Sequence, residues 1–204
     1  MQKVRPVQQL TAAALLIAVG IVIPTFSPLK IILEPASFTL ASHVAIFLSM
    51  FISPAVAGAV AVGTTLGFFF GGFPPVVVLR AATHLVFALV GSILIQRYPR
   101  LLATPAKTQI FSLLLGVLHA ACEVIVVSAF YFGGNMGDLY YAKGYVGSVM
   151  GLVGLGSIVH SMADFGIALL VLRALSAQKS LRSLFRSSPF PRVAEKSVST
   201  LTAE

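Results

Sequence analysis

Apolar residues fall along this chain in long blocks, with neither the alternation of a half-buried strand nor the single stripe of a surface helix. The first block runs roughly from Leu10 to Phe26. The second and third, roughly Phe38 to Ile52 and Ala55 to Phe70, are divided by Ser53-Pro54. The fourth runs roughly from Pro74 to Ile95 and opens on Pro74 and Pro75, where proline suits a helix start. The fifth covers roughly Thr108 to Phe132, and the last about Tyr145 to Leu175. A membrane crossing takes about 20 apolar residues, so the second and third blocks are short. The pattern predicts an all-α integral membrane protein with six transmembrane helices over residues 1–175. The remaining residues, 176–204, are rich in Ser, Lys and Arg and read as a partly disordered arm drawn to anionic lipid.

Composition narrows the function. Of 204 residues, 57% are hydrophobic and 10% charged, against about 25% charged in soluble domains. That excludes a water-soluble protein and leaves no room for a sizeable extramembrane catalytic domain. Cys122 is the single cysteine, which excludes a disulfide scaffold. The net charge of +8 does not mark a nucleic-acid binder, because the basic residues flank apolar runs and form no continuous patch. Their placement instead sets an orientation. With the amino terminus in the cytoplasm, Lys3, Arg5, Arg97, Arg100, Lys107, Arg173, Lys179, Arg182, Arg186, Arg192 and Lys196 lie inside. Only Lys30 and Lys143 lie outside, and Arg80 falls within a span. This bias predicts both termini in the cytoplasm of a multi-pass cell-membrane protein. Lys3 and Arg5 before an apolar run imitate a signal peptide, but no small-residue cleavage site follows, so the run reads as a retained helix.

Ionisable residues inside spans are costly, about 2.5–3.5 kcal/mol each at mid-helix, and so need a partner or a purpose. Three spans carry polar pairs four residues apart, which share a helix face: Arg80 with His84, His119 with Glu123, and His160 with Asp164. His43 stands alone in the second span. At 1.5 Å per residue, Arg80 lies about 9 Å, His84 about 15 Å and Glu123 about 14 Å below the outer helix ends. With His43, these converge on one outward-facing cavity, whereas His160 and Asp164 lie deeper and belong to it less obviously. Arg80 either ties Glu123 or meets an anionic ligand, since its planar fork suits carboxylates. Three outer connections are candidates to cap the cavity: residues 27–37 with Lys30 and Glu34, the turn 71–75, and the Gly-hinged segment 133–144. The last carries Asn135, Tyr140 and Tyr141 and reads as a mobile lid or as part of an interfacial aromatic belt. No Walker-type phosphate loop and no His-Glu-x-x-His motif occur. The histidines sit on four helices at different depths, which argues against a metal site, and no cofactor is expected.

The six-helix plan with a capped outer cavity resembles the substrate-binding (S) component of energy-coupling factor (ECF) vitamin transporters. Ala14-Leu15-Leu16-Ile17-Ala18 matches the Ala-x-x-x-Ala pattern by which that family's first helix docks on its transmembrane coupling subunit. The stretches from Glu34 to Thr39, Phe51 to Pro54 and Gly71 to Pro74 look like the region from loop one to helix four of such chains. The resemblance covers residues 8–175. It implies a vitamin binder that works with the coupling subunit and two cytoplasmic ATPases and topples in the membrane to carry its site inward. The family places its site between the outer halves of helices four to six and loops one, three and five. Those positions offer Arg80, His84, Glu123, Asn135, Tyr140, Tyr141 and Glu34, with His43 beside them, while Ala14 and Ala18 are the docking residues. Cobalt and nickel members use a histidine next to the amino terminus, where this chain reads Met1-Gln2-Lys3. A buried arginine suits a small carboxylate such as niacin or pantothenate, with a lean to niacin; folate, cobalamin and a thiamine precursor stay open. Two other classes compete: a small membrane enzyme acting on a lipid or isoprenoid, and an assembly subunit.

Overall fold

The structure is a computed structural model that describes residues 6–33, 36–98, 100–185 and 187–190. Its elements in chain order are α1 (Pro6–Phe26), β1 (Lys30–Leu33), β2 (Ala36–Thr39), α2 (Val44–Met50), α3 (Pro54–Phe70) and α4 (Pro75–Arg97). There follow α5 (Pro105–Phe132), the short α6 (Asp138–Ala142), α7 (Val146–Ala177) and α8 (Lys179–Arg182). The first ten residues of α7, Val146–Leu155, are wound as a π-helix. Among the described residues four helices, α1, α4, α5 and α7, are long and apolar enough to cross a membrane, and α3 is a shorter apolar helix. The fold is all-α apart from one antiparallel hairpin, in which Lys30 pairs with Thr39 and Leu33 with Ala36.

Local chemistry sets the helix starts. Ser53 and Thr104 each precede a proline at the first helical position, and their side chains accept from the backbone N–H groups of Val56 and Lys107. Such caps satisfy donors that a helix start otherwise leaves unpaired, and proline there loses no hydrogen bond.

Contacts fix how the helices run. Gly63 and Gly67 of α3 lie against Ile17 and Ile21 of α1, and Ser53 at the start of α3 bonds Gln9 near the start of α1. These two helices are therefore parallel. Gly58 meets Leu85 and Leu89 of α4, Arg80 meets Glu123 of α5, and Gly116 meets Ile158 of α7. Each later neighbour is thus antiparallel to the one before it. Because α1 and α3 are parallel, the chain between them must return through the bundle, and that return differs from the predicted second span. Instead of one helix over 38–52, the hairpin takes the upper part and α2 only the lower part. All seven residues of α2 are buried. At about 1.5 Å per residue that helix is about 10 Å long, too short to cross a bilayer alone.

The core lies below the hairpin, where Phe47, Phe51 and Met50 of the return segment meet Phe87 of α4 and Phe165 of α7. At the far end, where disorder is expected from residue 176, the chain folds back. Phe185 is buried, Phe190 packs on the core, and Ser187 donates to the Gln96 side chain at 2.7 Å.

The α1–α3 seam gives a first test. A Cβ at Gly67 would stand 2.2 Å from Ile21 Cδ1, and one at Gly63 2.5 Å from Ile17 Cδ1. Gly67→Leu is expected to push α1 away and cost about 1–3 kcal/mol through overpacking. A lowered thermal midpoint of the purified chain checks this; an unchanged midpoint contradicts the close seam.

Candidate functional site

Just above the aromatic core, polar side chains from the turn before α2 and from α4, α5 and α7 surround a cavity of about 240 Å³. Its walls include Gly20 and Pro24 of α1, Phe38 and Thr39 of the hairpin, Ser42, Thr64, Phe73, Arg80, Ser157 and all four histidines. A single-ring solute fits that space.

Two carboxylates organise it. Glu123 is buried on α5 and takes Arg80 in a two-pronged ion pair, Nε to Oε1 at 3.0 Å and Nη2 to Oε2 at 3.1 Å. Ser157 of α7 also donates to Glu123 Oε2. The pairing spends two of the five guanidinium N–H donors and leaves the rest for the cavity that Arg80 lines. Asp164, fully buried on α7, holds the turn that leads into α2. Its Oδ1 accepts the Ala41 N–H at 2.7 Å, and its Oδ2 accepts the His43 N–H at 2.9 Å. His43 Nδ1 lies 3.0 Å from Oδ2. Ala41 has a φ of 67°, a left-handed conformation that costs a residue with a Cβ about 1–2 kcal/mol. Asp164 offsets that cost by satisfying the donors on both sides of the turn.

Between the carboxylates the histidines crowd together. The His43 ring centre lies 4.7 Å from His84, 4.8 Å from His119 and 5.0 Å from His160. Phe87 packs under His119 and Phe38 against His160. Ser42 Oγ bridges to His160 Nε2 at 3.0 Å. The Nε2 atoms of His84 and His119 stand 3.8 and 3.5 Å from Glu123 Oε1, too long or too poorly aligned to be hydrogen bonds.

Measured against the sequence expectations, Arg80, His84, Glu123 and His43 do converge. Three further residues join them. His119 and His160 line the same cavity, and Asp164 anchors His43. His119 and His160 do stand deeper, about 20 Å from the outer ends of their helices, yet both line the cavity. The cavity reaches that deep because residues 38–43 enter the bundle as extended chain and turn. The rings nevertheless gather within 5.0 Å of His43, so the argument from depth against a metal site falls. The four-residue spacing was the signal for all three pairs, and every one points inward.

Asn135 and Tyr141 are not brought to the cavity. Asn135 is exposed and donates to the Gly133 carbonyl, while the Tyr141 hydroxyl donates to the Tyr131 carbonyl and accepts from the Met136 N–H. Both serve the 133–142 loop itself. Tyr140 is half-buried and close enough to Arg80 to feel its charge: burial raises the phenol above its ordinary range and the guanidinium pulls it back. Glu34 lies outside the described residues. Ala14 and Ala18 lie on the exposed face of α1, opposite buried Ala13 and Gly20. Asn135→Ala is accordingly expected to leave ligand affinity within about twofold, its exposed side chain contributing little; a tenfold loss by calorimetry would bring the residue back into the site.

An apolar helix bundle that encloses a small polar cavity is the build of a membrane solute-binding protein. The chain is 44% identical over 163 residues to the niacin transporter NiaX of Lactococcus lactis subsp. cremoris (strain MG1363), covering 80% of this chain and 72% of that protein. No protein-family model matches the chain, and no solved structure does. Identity at that level over that length places the chain in the family: it belongs to the S components of ECF transporters. It is a membrane transport protein and not an enzyme.

Proposed function

We propose that the chain is the niacin-binding S component of an ECF-type importer, with Arg80 as the carboxylate receptor. The observation that carries this is the Arg80 guanidinium, which faces a cavity of single-ring size while Glu123 holds it in place. The similarity to a niacin transporter supports the choice of ligand over pantothenate, folate or cobalamin. His43, His84 and the Glu123 carboxylate complete the inner wall, and Tyr140 belongs to the loop that covers it.

In this reading the chain passes the membrane six times with both ends in the cytoplasm. The return through the hairpin and α2 counts as one pass, and the alternation of helix directions supports it. The eleven basic residues that this arrangement puts inside, against two outside, support the side through the positive-inside rule. The basic segment from residue 176 lies on the cytoplasmic side, packed against that end of the bundle as far as Phe190. The face of α1 carrying Ala14 and Ala18 docks on the coupling subunit, and two ATPases drive the toppling that presents the site inward. In support, only 17% of the most apolar stretch of α1 is buried, against 33–44% in the other three candidate spans. Small residues permit the close backbone approach on which helix association in lipid depends.

Uptake of labelled niacin tests this in cells that lack their own niacin importer. The chain expressed with a coupling subunit and both ATPases is expected to accumulate label, and the chain alone is not. Accumulation by the chain alone contradicts the ECF mechanism.

A further inference from the structure

Three imidazoles meet at the floor of the cavity, and two of them carry nitrogens that no hydrogen bond satisfies. One ring nitrogen from each of His43, His84 and His119 lies within 4.8 Å of the other two, and all three residues are buried. His84 Nε2 and both nitrogens of His119 have no hydrogen-bond partner. Buried polar atoms are rarely left so, because each lost hydrogen bond costs about 1–3 kcal/mol. The third ring is oriented for a different partner. His43 gives its Nδ1–H to Asp164, whose carboxylate is itself fixed by two backbone N–H groups, and this leaves the Nε2 lone pair free. A carboxylate behind an imidazole is the arrangement that orients histidine as a metal ligand and raises its basicity.

We infer that His43, His84 and His119 form a binding site for one divalent transition-metal cation of the zinc class, with its fourth position open to the cavity. Nitrogen ligands of this type suit zinc and its neighbours and not magnesium or calcium. Metal–nitrogen bonds of about 2.0–2.1 Å in a tetrahedral site put ligand atoms about 3.4 Å apart. The rings must therefore draw together by about an ångström, which side-chain torsions at the surface of a cavity accommodate. Glu123 and Asp164 flank the three rings and supply negative charge beside the cation. Arg80 is the opposing charge, and its pairing with Glu123 reduces that opposition.

The role of the cation rests on the niacin reading. A pyridine nitrogen is a good fourth ligand to a zinc-class metal, and a carboxylate on the same ring then points to Arg80 on the wall above. The cation would thus distinguish nicotinate from benzoate, which has the same carboxylate and shape without the ring nitrogen.

The test uses the full chain purified in detergent without ligand. Zn(II) is titrated by calorimetry and Co(II) by absorption, where a tetrahedral site gives intense visible bands. One cation per chain is expected, with affinity reduced at least tenfold in His119→Gln and, through its ligand-orienting carboxylate, about 10–100-fold in Asp164→Asn. His119→Gln, which keeps a polar side chain of similar reach, guards against misfolding, and each variant is checked for a monodisperse elution profile. Nicotinate and benzoate are then titrated with the cation present and after chelation. Preference for nicotinate that disappears on chelation supports the site. A folded chain that takes up neither Zn(II) nor Co(II), or takes them up equally in His119→Gln, overturns it. Nicotinate binding that survives chelation unchanged overturns the cation's role in ligand recognition and leaves the niacin reading intact. One cation per chain without nicotinate affinity supports the cation and removes the niacin reading.

Discussion

Arg80→Ala is expected to abolish niacin binding and to destabilise the folded chain by about 3–5 kcal/mol, because it strips the partner from a buried carboxylate. Glu123 would keep only Ser157 as a hydrogen-bond donor, with two histidine nitrogens at 3.5 and 3.8 Å as near neighbours. Loss of binding in that variant alone therefore proves little. The pair Arg80→Met with Glu123→Gln separates the two effects. Replacing both charges by neutral groups of similar volume is often neutral or stabilising. Thermal stability is expected to return in the double variant while binding stays absent, since no guanidinium remains to meet the carboxylate. A double variant that binds niacin as the parent does would reduce Arg80 to a strut between α4 and α5.

The second large effect is expected at Asp164. Alanine there leaves the backbone N–H groups of Ala41 and His43 without their acceptor in a buried turn, at about 1–3 kcal/mol each. It also leaves the left-handed Ala41 unsupported. Asp164→Ala is expected to lower the thermal midpoint sharply and to weaken niacin binding, because the return segment carries Phe38, Thr39, Ser42 and His43 into the cavity wall. Adding Ala41→Gly removes the strain of the left-handed residue and is expected to recover about 1 kcal/mol of the loss. An Asp164→Ala variant as stable as the parent would show that the turn holds without its anchor.

What the sequence made legible follows from block length and from residue spacing. Apolar blocks gave the long helices, and polar residues four apart gave three inward pairs without any tertiary information. Two features could not be read that way. The hairpin, paired from Lys30 to Thr39, holds only four residues per strand, and its ladder depends on a partner strand and not on any repeat. Likewise, Phe38 to Ile52 is apolar enough for one helix, yet the Asp164 carboxylate captures the backbone at 41 and 43 and confines helix to Val44–Met50. That capture also explains why the cavity reaches deeper than a count along each helix suggests. His160 and His119 reach the cavity because the chain descends to them, which no count along a single helix reveals. Asn135 and Tyr141 were credible lid residues by composition; their hydrogen bonds close the loop on itself instead.

The most direct test of the account is calorimetric titration of niacin into the chain purified alone from cells starved of that vitamin, with pantothenate, nicotinamide and folate as comparisons. The account predicts one site per chain that binds niacin far more tightly than nicotinamide, which lacks the carboxylate. Equal affinity for niacin and nicotinamide, or no binding by a folded sample, would contradict it.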